Sequence, residues 1–216
     1  MTTVERSRLH RLRRSVADFV TSSDASLFDV LGGWRGLVDA VGPNLVLLVV
    51  YLVYPDVLVA VGAALAVSLL LAIVRLATGQ RVREAVGGVV LVVLSALLVA
   101  LTGNGTDFFL PELVRTGVIS ALLLLSLAIR RPFVGLLLGP VVSGRGWRSD
   151  ASHLRAYDWC TAIWAAAALA RTLGKLPFYL SGNVLALGIV DIVLGVPLLL
   201  ATVWLQLRIL RAAYRP

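Results

Sequence analysis

The chain contains one cysteine, Cys160, which excludes an intrachain disulfide and any cysteine-based metal cluster. Histidine is almost as scarce, and His10 and His153 stand isolated from each other. The phosphate-cradling loop of Walker type, the HExxH zinc helix, paired CxxC and the GxSxG nucleophile turn are all missing. Lysine occurs once, at Lys175, among 20 basic residues, a bias that a GC-rich coding sequence would produce. No polar stretch is long enough to form a soluble domain around a conventional active site. The pattern implies no cofactor and no metal, and a non-enzymatic protein is the first expectation.

What the chain has in abundance is apolar sequence. Hydrophobic residues make up 59% of its 216 positions and charged residues only 15%, and mean hydropathy is +0.91, well beyond the needs of a soluble domain. A net charge of +8 would suggest nucleic acid in a soluble protein. Here the charge flanks apolar runs, so the expected partners are the lipid bilayer and anionic lipids at the cytoplasmic face, and not nucleic acid.

Six runs approach the roughly 20 residues that a helix needs to cross a bilayer. They cover about 36–54, 56–76, 84–102, the stretch from Pro111 to Arg130, 156–174 and 184–207. Residues 1–35 form a basic tail in which Leu9, Leu12, Val16, Phe19 and Val20 recur at helical spacing among arginines. That spacing suits a short helix lying on the membrane surface, and equally an unstructured arm. Ser26 and Asp29 have capping-box spacing before a second short helix carrying Trp34. A cleavable signal peptide is not expected, because polar sequence follows the basic start. The segment 132–144 is apolar but too short to cross, and Pro132, Gly135, Gly139 and Pro140 interrupt it. It is expected to be re-entrant or interfacial.

The basic residues set the orientation. Of the 20, six lie in the tail through Arg35, three at Arg75–Arg83, five between Arg130 and Arg155, and three at the C-terminus. Only Lys175, Arg115 and Arg171 fall elsewhere. Cytoplasmic loops retain Lys and Arg, so both termini are expected in the cytoplasm and residues 103–110 and 175–183 outside, in a plasma membrane. Aromatic residues cluster near both sets of helix ends, as interfacial anchors do. The fold class expected is all-α, a polytopic helical membrane bundle spanning 36–211. Small residues at Ala162, Ala166 and Ala170, and at Gly62 and Ala66, are candidates for close helix packing or simply a product of a high alanine content. Gly195 and Pro197 should kink the last span.

Ionisable residues inside spans are the best lead to function, because each is costly in hydrocarbon and usually faces the bundle interior. Asp191 sits about eight residues, roughly 12 Å, inside the outer end of its span. Arg171 and Arg115 each lie about one turn below the outer ends of theirs. Glu112 is placed to pair with Arg115 at helical spacing. With Asp107 in the adjoining loop, these five form a candidate polar cluster opening outward, in which Asp191 pairs with Arg171 or Arg115. The alternative is that the arginines snorkel to the headgroups and Asp191 neutralises one of them. Asp150, His153, Tyr157 and Asp158 share a helical face that a metal could use, or that a solvated loop simply exposes. Asn104-Gly105-Thr106 matches a glycosylation sequon. Arg35/Asp39 and Arg155/Asp158 read as helix-end pairs.

The stretches LGGWRGLVDAVGPNLVLLVVYL (31–52), GTDFFLPELVRTG (105–117) and RRPFVGLLLG (130–139) resemble Domain-of-Unknown-Function family 3159. That family comprises small polytopic membrane proteins of high-GC Gram-positive bacteria, and the resemblance covers most of the chain from residue 31. The GP-apolar-Tyr pattern of the first span and the RP-apolar-Gly pattern after the fourth are distantly similar to the intracellular septation protein A family. That likeness implies a role in division and envelope synthesis, and neither family supplies catalytic residues. Three functions are therefore expected in order: a non-enzymatic membrane protein acting through envelope partners or lipids, a small secondary transporter or channel, and an intramembrane enzyme. The transporter is placed second because no inverted repeat is visible.

Overall fold

The computed structural model describes residues 33–78, 82–142 and 151–213. The amphipathic tail, the Ser26/Asp29 capping box, Asp150 and the arginines at 81, 145 and 148 lie outside the described residues, as do the side chains of Arg35, Asp39 and His153. The fold is all-α as expected, with no strand among the described residues. In chain order the helices are α1 (Gly33–Val53), α2 (Val57–Ala77), α3 (Val82–Thr102), a 3-10 turn (Gly105–Phe109), α4 (Leu110–Ala128), α5 (Phe133–Val142), α6 (Ala151–Leu180), α7 (Val184–Val193) and α8 (Val196–Ala213).

Three stretches are long and apolar enough to cross a membrane: Val57–Ala77, Gly105–Ala128 and Val184–Ala213. At 1.5 Å per residue the 21 residues of α2 reach roughly 31 Å, the thickness of a hydrocarbon core. Shorter apolar portions, Val41–Val53 and Gly88–Thr102, match the first and third expected spans. The fifth expected span lies inside α6, where alanine, tryptophan, Asp158 and Arg171 lower the hydropathy. Large apolar side chains such as Leu52, Leu70, Ile73, Leu101 and Leu122 are exposed along these helices. A bilayer covers such surface and water does not, which marks the chain as a membrane protein. The ten residues of α5 reach only roughly 15 Å, half of what a crossing requires.

The described residues form two compact units. The larger comprises 33–78, 82–118 and 169–199, and the smaller comprises 119–142, 151–168 and 200–213. In the larger unit α1 packs on α2 and α7, α2 on α3, and the 3-10 turn against α2, α3 and α7. Its core includes Leu47, Leu48, Ala64, Val99, Phe109 and Leu187. Gly105 holds the corner. A Cβ there would come within 2.8 Å of Val184 and 2.9 Å of Val57, so the starts of α2, α7 and the 3-10 turn meet at one end of this unit. Local chemistry fixes each start: Asp56 accepts from the Leu58 and Val59 amides at 2.8 and 3.3 Å, and Asn183 from Ala186 at 3.0 Å.

In the smaller unit Val134, Tyr157, Cys160 and Leu210 form the core. Thr161 Oγ1 donates to the Tyr157 carbonyl at 2.8 Å and accepts from the Val134 amide at 3.2 Å, tying α5 to α6. Helix α4 ends at Ala128, and the turn that follows carries Arg130, whose φ of 51° is left-handed. The Arg131 amide then closes back on Ser126 at 2.9 Å, and Pro132 prevents continuation.

Several packing expectations are corrected. Gly62 and Ala66 face outward, and a Cβ on Gly62 would meet nothing. The buried stripe of α2 is Ala60, Val61, Ala64 and Ser68, because Gly62 and Ala66 lie on the side of the helix away from α1 and α3. In α6, Ala165 and Ala168 are buried while Ala166 and Ala170 are exposed. Residues 175–180, expected in an exported loop, are the last turns of α6. Pro177 removes one ladder donor there without ending the helix, which runs to Leu180 and is followed by a turn at Gly182 with φ of 71°.

Candidate functional site

Helix α6 carries Arg171, Lys175 and Tyr179 at four-residue intervals, so the three side chains share one stripe. Each meets a carboxylate from a different element of the larger unit. Arg171 Nη2 reaches Glu112 Oε1 at 3.3 Å, Lys175 Nζ pairs with Asp191 Oδ1, and the Tyr179 hydroxyl donates to Asp107 Oδ1 at 2.8 Å.

The middle rung is the most buried. Lys175 is 1% and Asp191 6% exposed, which makes this an ion pair withdrawn from both water and lipid. Asp191 Oδ2 also accepts from Asn44 Nδ2, and Asn44 follows Pro43, the one residue of α1 that cannot donate to the helix ladder. The pairing of Asp191 with Arg171 or Arg115 is therefore corrected. Lys175 lies in helix and not in a loop, one turn beyond Arg171 on the stripe facing α7, and it takes the carboxylate. Only Lys175 among the basic residues has a compact ammonium that a single carboxylate can match in a closed site.

The first rung is richer in donors. Arg115 Nε and Nη2 both reach Glu112 Oε2, at 2.8 and 2.6 Å. Glu112 Oε1 accepts from Thr116 Oγ1 at 3.2 Å as well as from Arg171. Arg115 is about half exposed, so its pair adds little to stability. The third rung lies beyond the 156–174 span. Asp107 and its neighbours in the 3-10 turn are all buried. Burial, followed by the adjacent Asp107 carboxylate, raises the Tyr179 pKa above the ordinary tyrosine value. The protonated hydroxyl therefore contributes stability below that ordinary value, and the contribution is lost as pH rises through the raised one. Replacing Tyr179 by Phe should cost about 1.5–3 kcal/mol, the range for a hydrogen bond to a charged group, and should flatten the alkaline loss of stability. Thermal unfolding from neutral to alkaline pH measures both.

A cavity of about 330 Å³ opens within this unit, at the small end of the range for ligand pockets. Glu112, Arg115, Arg171, Asp191, Asn44 and Ser95 supply its polar wall, and Leu91, Val92, Phe108, Ile192 and Leu199 much of the remainder. Gly195 and Val196 line it too, at a helix break. Helix α7 ends at Val193, Leu194 and Gly195 form a turn, and α8 begins at Val196. A Cβ on Gly195 would lie 2.7 Å from the Asp191 carbonyl, so the turn beside Asp191 requires glycine. The kink expected at Gly195 and Pro197 is thus a break one turn after the buried carboxylate. Pro197 sits in the first turn of α8, where its missing N–H leaves no helical bond unmade.

Four of the five expected cluster residues line this cavity, and Asp107 does not. Its carboxylate turns to Tyr179 because the 3-10 turn packs it under the end of α6. Lys175, Asn44 and Tyr179 were not among the candidates. The singular lysine, and its spacing of four from both Arg171 and Tyr179, were signals that could have found them. No group of His, Cys, Asp and Glu among the described residues could hold a metal. Tyr157, expected on a possible metal-binding face, is fully buried in the smaller unit's core. In the sequon, Thr106 is buried and donates to Asn104 Oδ1 at 3.0 Å, so this Asn-Thr pair caps the 3-10 turn.

The family described as "Protein of unknown function (DUF3159)" matches residues 31–216. No curated protein matches the chain, and no solved structure does. The likeness to the intracellular septation protein A family receives no support from these comparisons.

Proposed function

The chain belongs to that family of unknown function, DUF3159, and from this premise we propose that it is a non-enzymatic plasma-membrane protein that admits a small solute, as a secondary transporter or channel does. One observation carries the proposal: the polar cavity borders a buried Lys–Asp pair at a break in an apolar helical stretch. Ionisable groups at membrane depth are expensive and are retained where they serve a pathway. Broken helices beside such groups are where transporters bind their cargo. A scaffold acting through envelope partners or lipids could use the same ion pair for stability, but it has no use for the cavity. The basic loops would rest on anionic lipid at the cytoplasmic face.

Cysteine accessibility tests the cavity and its orientation. With Cys160 replaced by alanine, Val92→Cys places a thiol on the cavity wall, and Leu94→Cys places one on an exposed apolar face of the same helix. An impermeant charged thiol reagent applied to intact cells should modify position 92 and spare position 94, because a thiolate does not form in hydrocarbon. Ser181→Cys should react in the same cells and Thr78→Cys only after lysis. An unreactive position 92 from both sides would contradict the solute reading. Reaction at 92 only after lysis would contradict an outward opening, and the reverse pattern at 181 and 78 would invert the topology.

A further inference from the structure

Arg171 and Glu112 are unequally satisfied. Glu112 already receives two contacts from Arg115 and one from Thr116, and it gains a fourth from Arg171 at 3.3 Å. That last bond is long for a charge-assisted pair, whose usual separation is about 2.7–2.9 Å. Arg171 depends on it far more. Its Nε is buried and has no hydrogen-bond partner, so the flat edge of the guanidinium that best fits a carboxylate carries a single long contact. A buried donor left unmade is costly, and a planar fork of this kind is completed by two oxygens of one ligand.

Charge and lining narrow the ligand further. At the cavity wall Arg115 and Arg171 share one carboxylate, Glu112, while Asp191 is matched by Lys175 behind the wall and Asp107 faces Tyr179 outside the cavity. One monoanion would leave the set neutral, and a dianion would not. Beyond the charged end, Leu91, Val92, Ile192 and Leu199 offer an apolar wall.

We infer that the cavity takes a small monocarboxylate with an apolar body, its carboxylate taking the place of the Glu112 carboxylate on the Arg171 guanidinium. This specifies the ligand class for the solute-admitting role proposed above and rests on it. Arg171 is the recognition residue, Glu112 is an internal competitor that holds the site when it is empty, and Asp191, occupied by Lys175 and Asn44, is not a ligand contact.

The test uses the full chain in nanodiscs of neutral phosphatidylcholine, with binding followed by tryptophan fluorescence and by thermal unfolding. Benzoate, hexanoate and 4-methylpentanoate should bind saturably, and benzamide, phthalate and chloride should not. Arg171→Gln should weaken benzoate binding at least about tenfold, the loss of one charge-assisted contact or more. Glu112→Gln should strengthen it, an outcome that a merely structural role for Glu112 would not produce and one that does not depend on the Arg171 variant folding. Benzamide binding as tightly as benzoate, or chloride competing with it, would overturn the carboxylate assignment and leave the solute-admitting role standing. So would failure of all three carboxylates while the thiol at position 92 remains reactive. Failure of all three with an unreactive thiol at 92 would overturn both.

Discussion

Asp191→Asn should reduce the stability of the protein by about 3–5 kcal/mol, because it leaves the Lys175 ammonium buried without its counter-charge. Lys175 and Asp191 are 1% and 6% exposed, so solvent does little to screen the loss. Thermal unfolding in detergent and abundance in membranes should both fall. Removing the second charge should undo most of the damage. In the Asp191→Asn, Lys175→Met double variant the amide can still meet Asn44, and an unbranched apolar chain of similar length replaces the lysine. Substitution of Arg171 by Gln in the Asp191→Asn background should bring no recovery, because Arg171 is paired with Glu112. Recovery with Arg171→Gln and none with Lys175→Met would reverse the assignment of partners.

The second large effect is steric. A Cβ on Gly188 would fall 2.4 Å from Leu48 Cδ2 and 2.9 Å from its Cγ, where α7 lies against α1. Both residues are buried in the larger unit, so the Leu48 side chain cannot turn away cheaply. Gly188→Ala should cost about 1–3 kcal/mol, as overpacking does in a filled core. Leu48→Ala, itself destabilising through a cavity, should be better tolerated when combined with Gly188→Ala than the sum of the two single effects implies. A strictly additive double variant, measured by thermal unfolding, would show that α7 and α1 do not meet at these residues.

Both predictions rest on contacts that the sequence foreshadowed unevenly. Apolar run length and the placement of arginines made the all-α class and the approximate spans readable, because hydrocarbon thickness and backbone satisfaction leave few alternatives. Asp191, Arg171, Arg115 and Glu112 could be singled out by one rule, the cost of ionisable groups inside spans. Lys175 escaped it because Pro177 and the nearby SGN suggested that the span ended before residue 175. In the structure the helix continues six residues past 174, through Pro177 to Leu180, and an apparent loop lysine becomes the partner of Asp191. Small-residue periodicity was a weaker guide. Gly62 and Ala66 have the right spacing for helix contact, yet spacing alone does not say which face of α2 meets a neighbour. Asp107 carried a similar ambiguity, since a turn-rich sequence gives no sign that its carboxylate folds under Tyr179.

The cavity itself was not readable. It forms where Pro43, Gly88 and Gly195, from three elements distant in sequence, leave space beside charged residues. A single sequence does not bring those elements together.

An experimental structure of the full chain in lipid nanodiscs tests the central claim most directly. It should show Lys175 paired with Asp191, Arg171 held by Glu112, and a hydrated space between them and the turn at Leu194–Gly195. Lys175 extended to the headgroups, Asp191 paired with an arginine, and side chains closing the space would contradict the account.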